Sequence, residues 1–557
     1  MKPLLSFLGK LCVVMAIVPA GTVWMATAAS ADGSHALIQG SGSSWAANAV
    51  NQWVADVASE GIQVVYTPDG DAQGRQDFAD KTSDFAVTAD GYQGVGAESG
   101  VSDTSDGRPY SYLPIAAGGT SFPYQIKFDG QQVENLRLSG ETLAKIFTNQ
   151  ITNWDDSEIT ADNNGVALPS LPIIPVVQSE GSGSTEQLTD YFATEYPNIW
   201  QPFAGQTGDT EYFPRQGNQV AQNGSDGAMN YVSSSEANGA IAYVEYSYAL
   251  SINYPVAKVE NSAGYFTLPT QYNVAVALED AQINMNQSSP DYLLQNLTNV
   301  YTDPDPRTYP LSSYVYMIEP TGTYPSPEPD ITTPKRQSIA DFEYYAICQG
   351  QKEIGPIGYS PLPVNLVEAS FAQIQLLQQA DPNIILTNEN IDNCDEPTFV
   401  EGQPNTNYLA TIAPQPPACD KSGAGPCAAG VTPNGIGATP NVSGSYPGSS
   451  GSSTGTGAGS AGSAGRAGPG ASGPGTTSSA PATPSGQNGG ATSAAQALAS
   501  ASSAAKNAPP PLETTELPFL GAVSWIAAGA VALLLALFAV PILIGRRRSR
   551  LRARVEQ

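Results

Sequence analysis

Between residues 34 and 417 the hydrophobic positions follow two different periods in turn. Residues 172–177 form a short apolar run, which is typical of a buried strand because it is too short for a helix. In residues 45–57 apolar side chains instead recur every four positions, from Trp45 to Val57, which predicts a helix with one buried face. Strands and helices that alternate along the chain favour an α/β fold. The predicted strands are residues 36–39, 63–66, 84–88, 172–177 and 240–244, and the predicted helices are residues 45–57, 141–148, 186–195, 338–349 and 365–379.

The amino terminus has the order of a secretory signal peptide. Lys2 and Lys10 precede or flank an apolar core at residues 11–20, and small residues lead up to residue 31. This pattern predicts a signal peptide at residues 1–31, with cleavage before Asp32 and export of the remaining chain. A retained membrane anchor is the alternative, and the short apolar core argues against it.

An uncharged apolar stretch covers residues 518–545 and is followed directly by six arginines within residues 546–557. The stretch is long enough to cross a bilayer as a tilted helix, and such an arginine cluster stays on the cytoplasmic side. The sequence therefore predicts a single-pass protein of the cell membrane. Its main domain would be extracellular, and residues 546–557 would form a basic cytoplasmic tail.

The segment before this span, residues 418–517, is rich in Gly, Ser, Ala, Thr and Pro and has few large apolar side chains. Such a composition buries too little surface to offset the entropy that the chain loses on folding. We therefore expect a flexible linker between the membrane span and a folded domain at residues 32–417.

Acidic residues dominate the exported part. The whole chain has a formal net charge of −28. Without residues 1–31 and 546–557, 15 Lys and Arg remain against 50 Asp and Glu, which gives about −35. This balance argues against nucleic acid and anionic lipid surfaces as partners, and it provides no long-range attraction for an anionic ligand.

Four cysteines remain after removal of residues 1–31, and an even number in an exported chain suggests disulfides. Three pairings are possible. Joining the nearer neighbours gives Cys348–Cys394 and Cys419–Cys427, which is the pairing we favour.

Catalytic chemistry finds little support in the sequence. His35 is the only histidine, which disfavours a zinc site and a Ser-His-Asp triad. A glycosidase-like pair of Asp71 and Glu180 has little weight in so acidic a chain, and no nucleotide-binding fingerprint occurs. We expect no enzyme activity, no catalytic residue, no metal site and no cofactor.

Two Gly/Ser-rich segments, residues 40–44 and 181–185, each lie between a predicted strand and a predicted helix. In that position backbone N–H groups and serine hydroxyls converge at the positive end of a helix and can bind an anion or another polar ligand. The simpler interpretation of either segment is a turn followed by a helix cap.

Collinear motifs along residues 36–379 make the chain similar to a known family. At residues 239–246, Gly-Ala-Ile-Ala-Tyr-Val-Glu-Tyr closely resembles the Gly-Ala-Ile-Gly-Tyr-Val-Glu-Tyr of phosphate-binding proteins of the phosphate-specific ABC transporter. Further similar motifs are Leu-Ser-Gly-Glu-Thr-Leu-Ala-Lys-Ile-Phe at residues 138–147, Ile-Thr-Asn-Trp at 151–154, Gly-Ser-Gly-Ser-Thr at 181–185 and Gly-Tyr-Ser-Pro-Leu-Pro at 358–363.

The resemblance implies a type 2 periplasmic-binding-protein fold, in which two α/β lobes joined by a hinge close on a ligand. Lobe one would comprise residues 34–112 and 248–417, and lobe two would comprise residues 113–247. Helix amino termini of both lobes would point at the ligand. Closure dehydrates a bound anion, which then needs a hydrogen bond to nearly every oxygen.

Five positions match the ligand-binding residues of this family. Ser44 and the backbone of Trp45 stand where the family has Thr and Phe ligands. Ser182, Gly183 and Ser184 stand where it has Ser, Gly and Thr. The resemblance therefore implies a ligand site built from both Gly/Ser segments.

Three other positions depart from the family pattern. Asp71 stands where the family has Ser, and Ala89 stands where it has a ligand-binding Asp, with Asp90 as the next residue. Gln178 replaces an anion-binding Arg, so that a neutral amide stands in place of a bidentate cation. Arg75, about one helical turn after Asp71, is expected either to restore this charge or to be a solvated surface residue.

The leading expectation is thus a membrane-tethered binding protein for inorganic phosphate, acting in ABC-type uptake with a permease as its partner. A binder of a different small polar ligand is the first alternative. A cell-surface scaffold that retains the fold without a ligand is the second.

Overall fold

The computed structural model describes residues 35–427, apart from residues 98–99, 101, 324–330, 387–388, 390, 392–393, 395, 401 and 404–405. The predicted signal peptide, the predicted membrane span and the basic tail lie outside the described residues, as does most of the predicted linker. No helix in the described part of the chain is long and apolar enough to cross a membrane.

Strands and helices alternate through the described residues, and every element predicted from the sequence is present with slightly shifted ends. The predicted strand at residues 240–244 is divided into two. The strands are β1 Ile38–Gly42, β2 Val64–Thr67, β3 Phe85–Thr88, β4 Tyr110–Pro123, β5 Lys127–Phe128, β6 Gln131–Gln132, β7 Arg137–Leu138, β8 Ile174–Gln178, β9 Val220–Gln222, β10 Ala240–Ala242, β11 Val244–Glu245, β12 Val256–Glu260, β13 Phe266–Thr267, β14 Gln282–Ile283, β15 Gln295–Asn296 and β16 Ser312–Pro320. The helices are α1 Ala47–Ala58, α2 Asp71–Ala79, α3 Gly140–Phe147, α4 Ser157–Asp162, α5 Gly183–Glu195, α6 Pro197–Ala204, α7 Gly224–Ser233, α8 Tyr246–Leu250, α9 Gln271–Ala277, α10 Thr298–Tyr301, α11 Thr333–Ile347, α12 Gly350–Ile357, α13 Val364–Ala380 and α14 Tyr408–Ile412.

A large mixed sheet has the strand order β13-β12-β4-β16-β3-β1-β2, with β11 paired to β4 and β7 paired to β12. Strand β1 is parallel to both β2 and β3. Strand β16 is antiparallel to β3 and β4 and is buried along its whole length. Apolar side chains on the faces of these central strands pack beneath helices and form the main core.

A second, smaller sheet has the parallel order β10-β8-β9. The chain leaves it at Tyr243, because β10 pairs with β8 whereas β11, one residue later, pairs with β4 of the large sheet. These two sheets with their helices give the two-lobed α/β fold that the resemblance implies.

Four turns lead from the carboxyl end of a strand directly into a helix: β1 into α1, β2 into α2, β8 into α5 and β9 into α7. Carboxyl ends of parallel strands lie at the same edge of a sheet, where α/β folds usually bind ligands. The topology therefore brings two turns from each sheet toward a common region.

Close packing between β1 and α2 depends on two glycines. A Cβ on Gly74 would lie 2.4 Å from the Cα of Gly42, which itself has a φ of +131°. Only glycine fits this contact without a shift of the backbone. As a result the first turn of α2 is held directly against the end of β1.

Both disulfides join the predicted partners, Cys348 with Cys394 and Cys419 with Cys427. The second one closes a segment that packs on the domain, where Lys258 and Asp420 form an ion pair of 2.7 Å. Hydrogen bonds to the rest of the domain continue past the predicted domain end at residue 417, to the carbonyl of Gly425, which accepts from Asn164 Nδ2 at 2.8 Å.

Candidate functional site

Side chains from the four strand-to-helix turns meet between the two sheets. Ser44 follows β1, Asp71 begins α2, Gln178 ends β8, Ser184 lies in the first turn of α5, and Ser225 lies in the first turn of α7. Each of these residues is at most 3 % exposed. The sequence-predicted site residues from both Gly/Ser segments are thus brought together in a closed, buried region.

Ser44 links the two sides of this region. Its Oγ accepts a hydrogen bond of 3.0 Å from the backbone N–H of Ser225, and its carbonyl accepts one of 2.5 Å from the Tyr248 hydroxyl. The adjacent Trp45 has its ring in the core, where the indole N–H donates to Thr120 at 3.1 Å. Trp45 can therefore contribute to a ligand site through its backbone, as the resemblance implies.

The first turn of α5 is fixed by local hydrogen bonds. The Ser182 Oγ accepts from the backbone N–H of Thr185 at 3.2 Å, as a helix cap does. The Thr185 hydroxyl contacts the Tyr243 hydroxyl at 2.8 Å, and that hydroxyl accepts from the backbone N–H of Gln178 at 3.1 Å. The Ser182 cap, the Tyr243 hydroxyl and the end of β8 at Gln178 together hold the amino terminus of α5 in one orientation.

The Asp71 carboxylate lies directly at this helix terminus. Its Oδ1 accepts from the backbone N–H of Ala89 at 2.7 Å. A Cβ on Gly183 would lie 2.7 Å from Asp71 Oδ1 and 2.4 Å from the Ala89 Cβ. Glycine is therefore required at position 183 for this approach.

Burial, followed by the charge of Asp90, raises the pKa of Asp71 from 3.8 to about 7. The backbone N–H groups of Gly183 and Ala89 and the Arg75 guanidinium act in the opposite direction without cancelling the effect. Desolvation dominates because the side chain is fully buried. Asp71 is thus poised to change protonation near neutral pH.

Four buried polar atoms around this region have no hydrogen-bond partner among the described residues: Ser43 Oγ, Asp71 Oδ2, Gln178 Oε1 and Ser184 Oγ. Leaving such an atom unpaired costs about 1–3 kcal/mol, and buried polar groups in native proteins are nearly always paired. Unpaired atoms concentrated beside a helix terminus are typical of a site that binds a small polar ligand.

Arg75 does not lie on the surface, so the expectation of a solvated side chain is wrong. The guanidinium is fully buried and donates to Asp103 at 2.9 Å, to Asp90 at 3.1 Å and to Glu211 at 2.7 Å. A further bond of 3.0 Å goes to the Thr88 hydroxyl. Every nitrogen of Arg75 is therefore engaged by protein groups, and three carboxylates surround its one positive charge.

One oxygen each from Asp90, Glu186 and Glu211 lie within 4.8 Å of one another. Burial raises the pKa of Glu211 to about 8, although the Arg75 charge lowers it. The cluster already contains the guanidinium as its cation. Among the described residues nothing further points to a metal ion at this place.

The sequence analysis missed the α7 turn as a third contributor. Residues 223–226, Asn-Gly-Ser-Asp, form another Gly/Ser segment between a strand and a helix. The backbone N–H of Gly224 donates to Glu180 Oε1 at 2.9 Å, and Gln178 Nε2 lies 3.4 Å from Ser225 Oγ. The same composition signal that marked the other two segments could have identified this one.

Comparison with known proteins gives a consistent family. The family model for a PBP superfamily domain matches residues 26–349. Phosphate-binding protein PstS of Methanocaldococcus jannaschii is 26% identical over 393 residues, covering 68% of this chain and 97% of that protein. Phosphate-binding protein PstS 2 of Mycobacterium tuberculosis is 29% identical over 329 residues, covering 58% and 83%. PstS of Xylella fastidiosa is 28% identical over 334 residues, covering 59% and 83%.

Solved structures similar to this chain include a high affinity periplasmic phosphate-binding protein bound with phosphate, at a TM-score of 0.47 and 18% identity, covering 60% of this chain and 93% of that one. A phosphate binding protein from Stenotrophomonas maltophilia has a TM-score of 0.45 at 17% identity, covering 60% and 93%. The family model spans more than half of the chain, and the curated relatives are matched over most of their own length. The chain therefore belongs to the PBP superfamily.

Proposed function

We propose that this chain is an extracellular solute-binding protein that binds inorganic phosphate for ABC-type uptake and is not an enzyme. The single observation that carries the proposal is the close approach of the first turn of α5 to an anionic oxygen, since a Cβ on Gly183 would lie only 2.7 Å from Asp71 Oδ1. The curated relatives named above are phosphate-binding proteins, which supports the same ligand.

Binding would use groups that converge from both sheets. The hydroxyls of Ser44 and Ser184 and the N–H groups at the start of α5 are donors for oxyanion oxygens, supplemented by the backbone of Trp45. The Gln178 side chain supplies an amide. Closure of the two lobes over these groups excludes water, so that each hydrogen bond to the anion becomes stronger than it would be in an open site.

Lobe one is proposed to be built on the large sheet and lobe two on the small sheet, so that the site lies at their junction. The predicted boundary at residues 112–113 falls inside β4, which pairs with β16 along residues 110–119. The domain would be held at the outer face of the membrane by the apolar segment at residues 518–545, through the Gly/Ser/Pro-rich linker. A permease of the ABC type would receive the phosphate. The support for this arrangement is the sequence pattern alone.

Titration calorimetry of the full chain with inorganic phosphate tests the proposal, with Ser184→Ala as the site variant and Ser179→Ala as its matched control on the same turn. Ser179 is exposed whereas Ser184 is buried. We expect binding by the wild type, at least tenfold weaker binding by S184A, and no change in S179A. Absence of any phosphate binding, or equal effects of both variants, would count against the site.

A different small polar ligand, neutral or zwitterionic, is the second candidate. Two observations favour it: Gln178 offers only a neutral amide, and the Arg75 guanidinium is engaged by three carboxylates. Native mass spectrometry of the purified full chain distinguishes this candidate, because a co-purified molecule that phosphate does not displace would identify another ligand. A protein that carries nothing and binds nothing would fit the scaffold alternative.

A further inference from the structure

The Asp71 carboxylate occupies the place where an external anion would be expected. Helix α5 has 13 residues, Gly183–Glu195, and its unpaired amino-terminal N–H groups carry a partial positive charge. Asp71 Oδ1 takes the N–H of Ala89 at 2.7 Å and lies so close to the first turn of α5 that a Cβ on Gly183 would be 2.7 Å from it. An internal carboxylate thus already lies where an oxyanion would need to bind.

A second observation marks this helix end as a ligand site. The Ser184 hydroxyl, 1 % exposed, and the second Asp71 oxygen, Oδ2, are both buried without a hydrogen-bond partner among the described residues. Ser184 is part of the first turn of α5, and Asp71 contacts that turn. The carboxylate therefore fills only part of the hydrogen-bonding capacity of the site.

The charges that face Asp71 are unfavourable for a second anion. Asp90 raises and Arg75 lowers the pKa of Asp71, and Asp71 in turn interacts with Asp69 and Tyr66. Since Arg75 is shared among three carboxylates, it cannot neutralise both Asp71 and a bound oxyanion. Two like charges at such short range in a buried site repel strongly.

We propose that Asp71 is an internal anion that competes with the external oxyanion for the amino terminus of α5, and that it thereby sets the affinity of the site. This inference rests on the proposed phosphate binding. An ionised Asp71 repels the oxyanion, whereas a protonated Asp71 carries no charge, keeps its proton and can donate a hydrogen bond to an oxyanion oxygen. Phosphate binding at this site is therefore accompanied by the uptake of one proton from solvent by Asp71.

The test compares phosphate affinity of the full-length wild type and Asp71→Asn at pH 6 and pH 8 by titration calorimetry. Phosphate itself titrates in this range, and the ratio of the two dissociation constants removes that contribution. With a pKa of about 7, the protonated fraction of Asp71 falls about tenfold between these values. We expect D71N to match the wild type within a few-fold at pH 6 and to bind about tenfold more tightly at pH 8.

Asp69→Asn is the matched control. Asp69 lies on the same turn, and burial with the charge of Asp77 raises its pKa to about 7 as well. Its Oδ1 accepts from the backbone N–H of Gly42 at 3.1 Å, so its hydrogen bond goes to the end of β1 and not to α5. We expect D69N to keep the wild-type pH dependence, because the effect depends on position at the helix end and not on a titrating carboxylate as such.

Two results would overturn the inference while phosphate binding stands: a constant ratio between wild type and D71N at both pH values, or weaker binding by D71N at both. The second would make Asp71 a supporting ligand instead of a competitor. If D71N folds poorly, Asp71→Ser, which also removes the carboxylate, is the second variant. If wild type, D71N and D71S all fail to bind phosphate at either pH, both the inference and the proposed function are wrong.

Discussion

The Arg75 guanidinium and the Glu211 carboxylate form an ion pair of 2.7 Å that joins the two sides of the candidate site. Arg75 lies on α2, next to the large sheet, and Glu211 precedes β9 of the small sheet. Both are buried. A pair of this kind holds the two sides of the site against each other.

Replacing Arg75 by Met is expected to lower the free energy of unfolding by about 3–5 kcal/mol, because three carboxylates lose their common cation in a buried place. The loss should be smaller at pH 5.5 than at pH 8.5, because the Glu211 carboxyl, whose pKa burial raises to about 8, is neutral at the lower pH and leaves less negative charge unpaired. Denaturant unfolding at pH 5.5 and pH 8.5 measures both values. Arg215→Met, at an exposed arginine, is the control, and an equal loss in both variants would contradict the prediction.

Gly183→Ala is expected to abolish closure of the site and to weaken phosphate binding at least a hundredfold. The new Cβ would lie 2.7 Å from Asp71 Oδ1 and 2.4 Å from the Ala89 Cβ, which forces α5 away from α2. Gly208→Ala is the matched control, since no atom lies within 4 Å of the position of its Cβ. Calorimetry checks the affinities, and unchanged binding by G183A would show that this approach of the two sides is not needed.

Gln178→Arg is expected to increase phosphate affinity at least tenfold, because it adds a cation with bidentate donors to a site where the Arg75 guanidinium is engaged by carboxylates. Gln178 is 3 % exposed, and its Oε1 has no partner among the described residues. Gln63→Arg, at an exposed position, adds the same charge on the surface and should change nothing. Weaker binding by Q178R would indicate that the larger side chain does not fit.

Stability should fall as the pH rises from 5.5 to 8.5. Burial raises the pKa of Glu245 and of Glu319 from 4.5 to about 8. A carboxyl whose folded-state pKa is raised contributes stability that is full below pH 4.5 and is lost as the pH rises through 8, at about 1.4 kcal/mol per pH unit for each group. Unfolding free energies across this range measure the slope.

Glu319→Gln should remove part of that slope. The Glu319 side chain accepts a hydrogen bond from the Ser111 hydroxyl and lies against Glu343 in the core. A neutral amide has no proton to lose, so the variant gains stability relative to the wild type at pH 8.5. Glu353→Gln, at an exposed residue, serves as the control, and an identical slope in E319Q and the wild type would refute the assignment.

The local pattern of apolar and polar residues already predicted much of the architecture. Apolar runs and four-residue periods predicted the elements that the structure contains, because burial of one face is a local requirement that each segment satisfies by itself. The Gly/Ser segments around Ser44 and Ser182 identified two of the turns that meet at the site. A third, before Ser225, carried the same signal and was not recognised.

The sequence by itself determined the alternation of strands and helices, the disulfide partners favoured by proximity along the chain, and the serines and glycine at two helix amino termini. Only the tertiary structure decided the state of the charged residues. Arg75, which was expected to be solvated or to face the ligand, is the buried centre of a carboxylate cluster. Asp71 lies at the amino terminus of α5. Glu211 and Ala89 complete these contacts from positions distant in sequence. Charge pairing and desolvation depend on which groups lie within a few ångströms in space, and spacing along the chain does not encode that information.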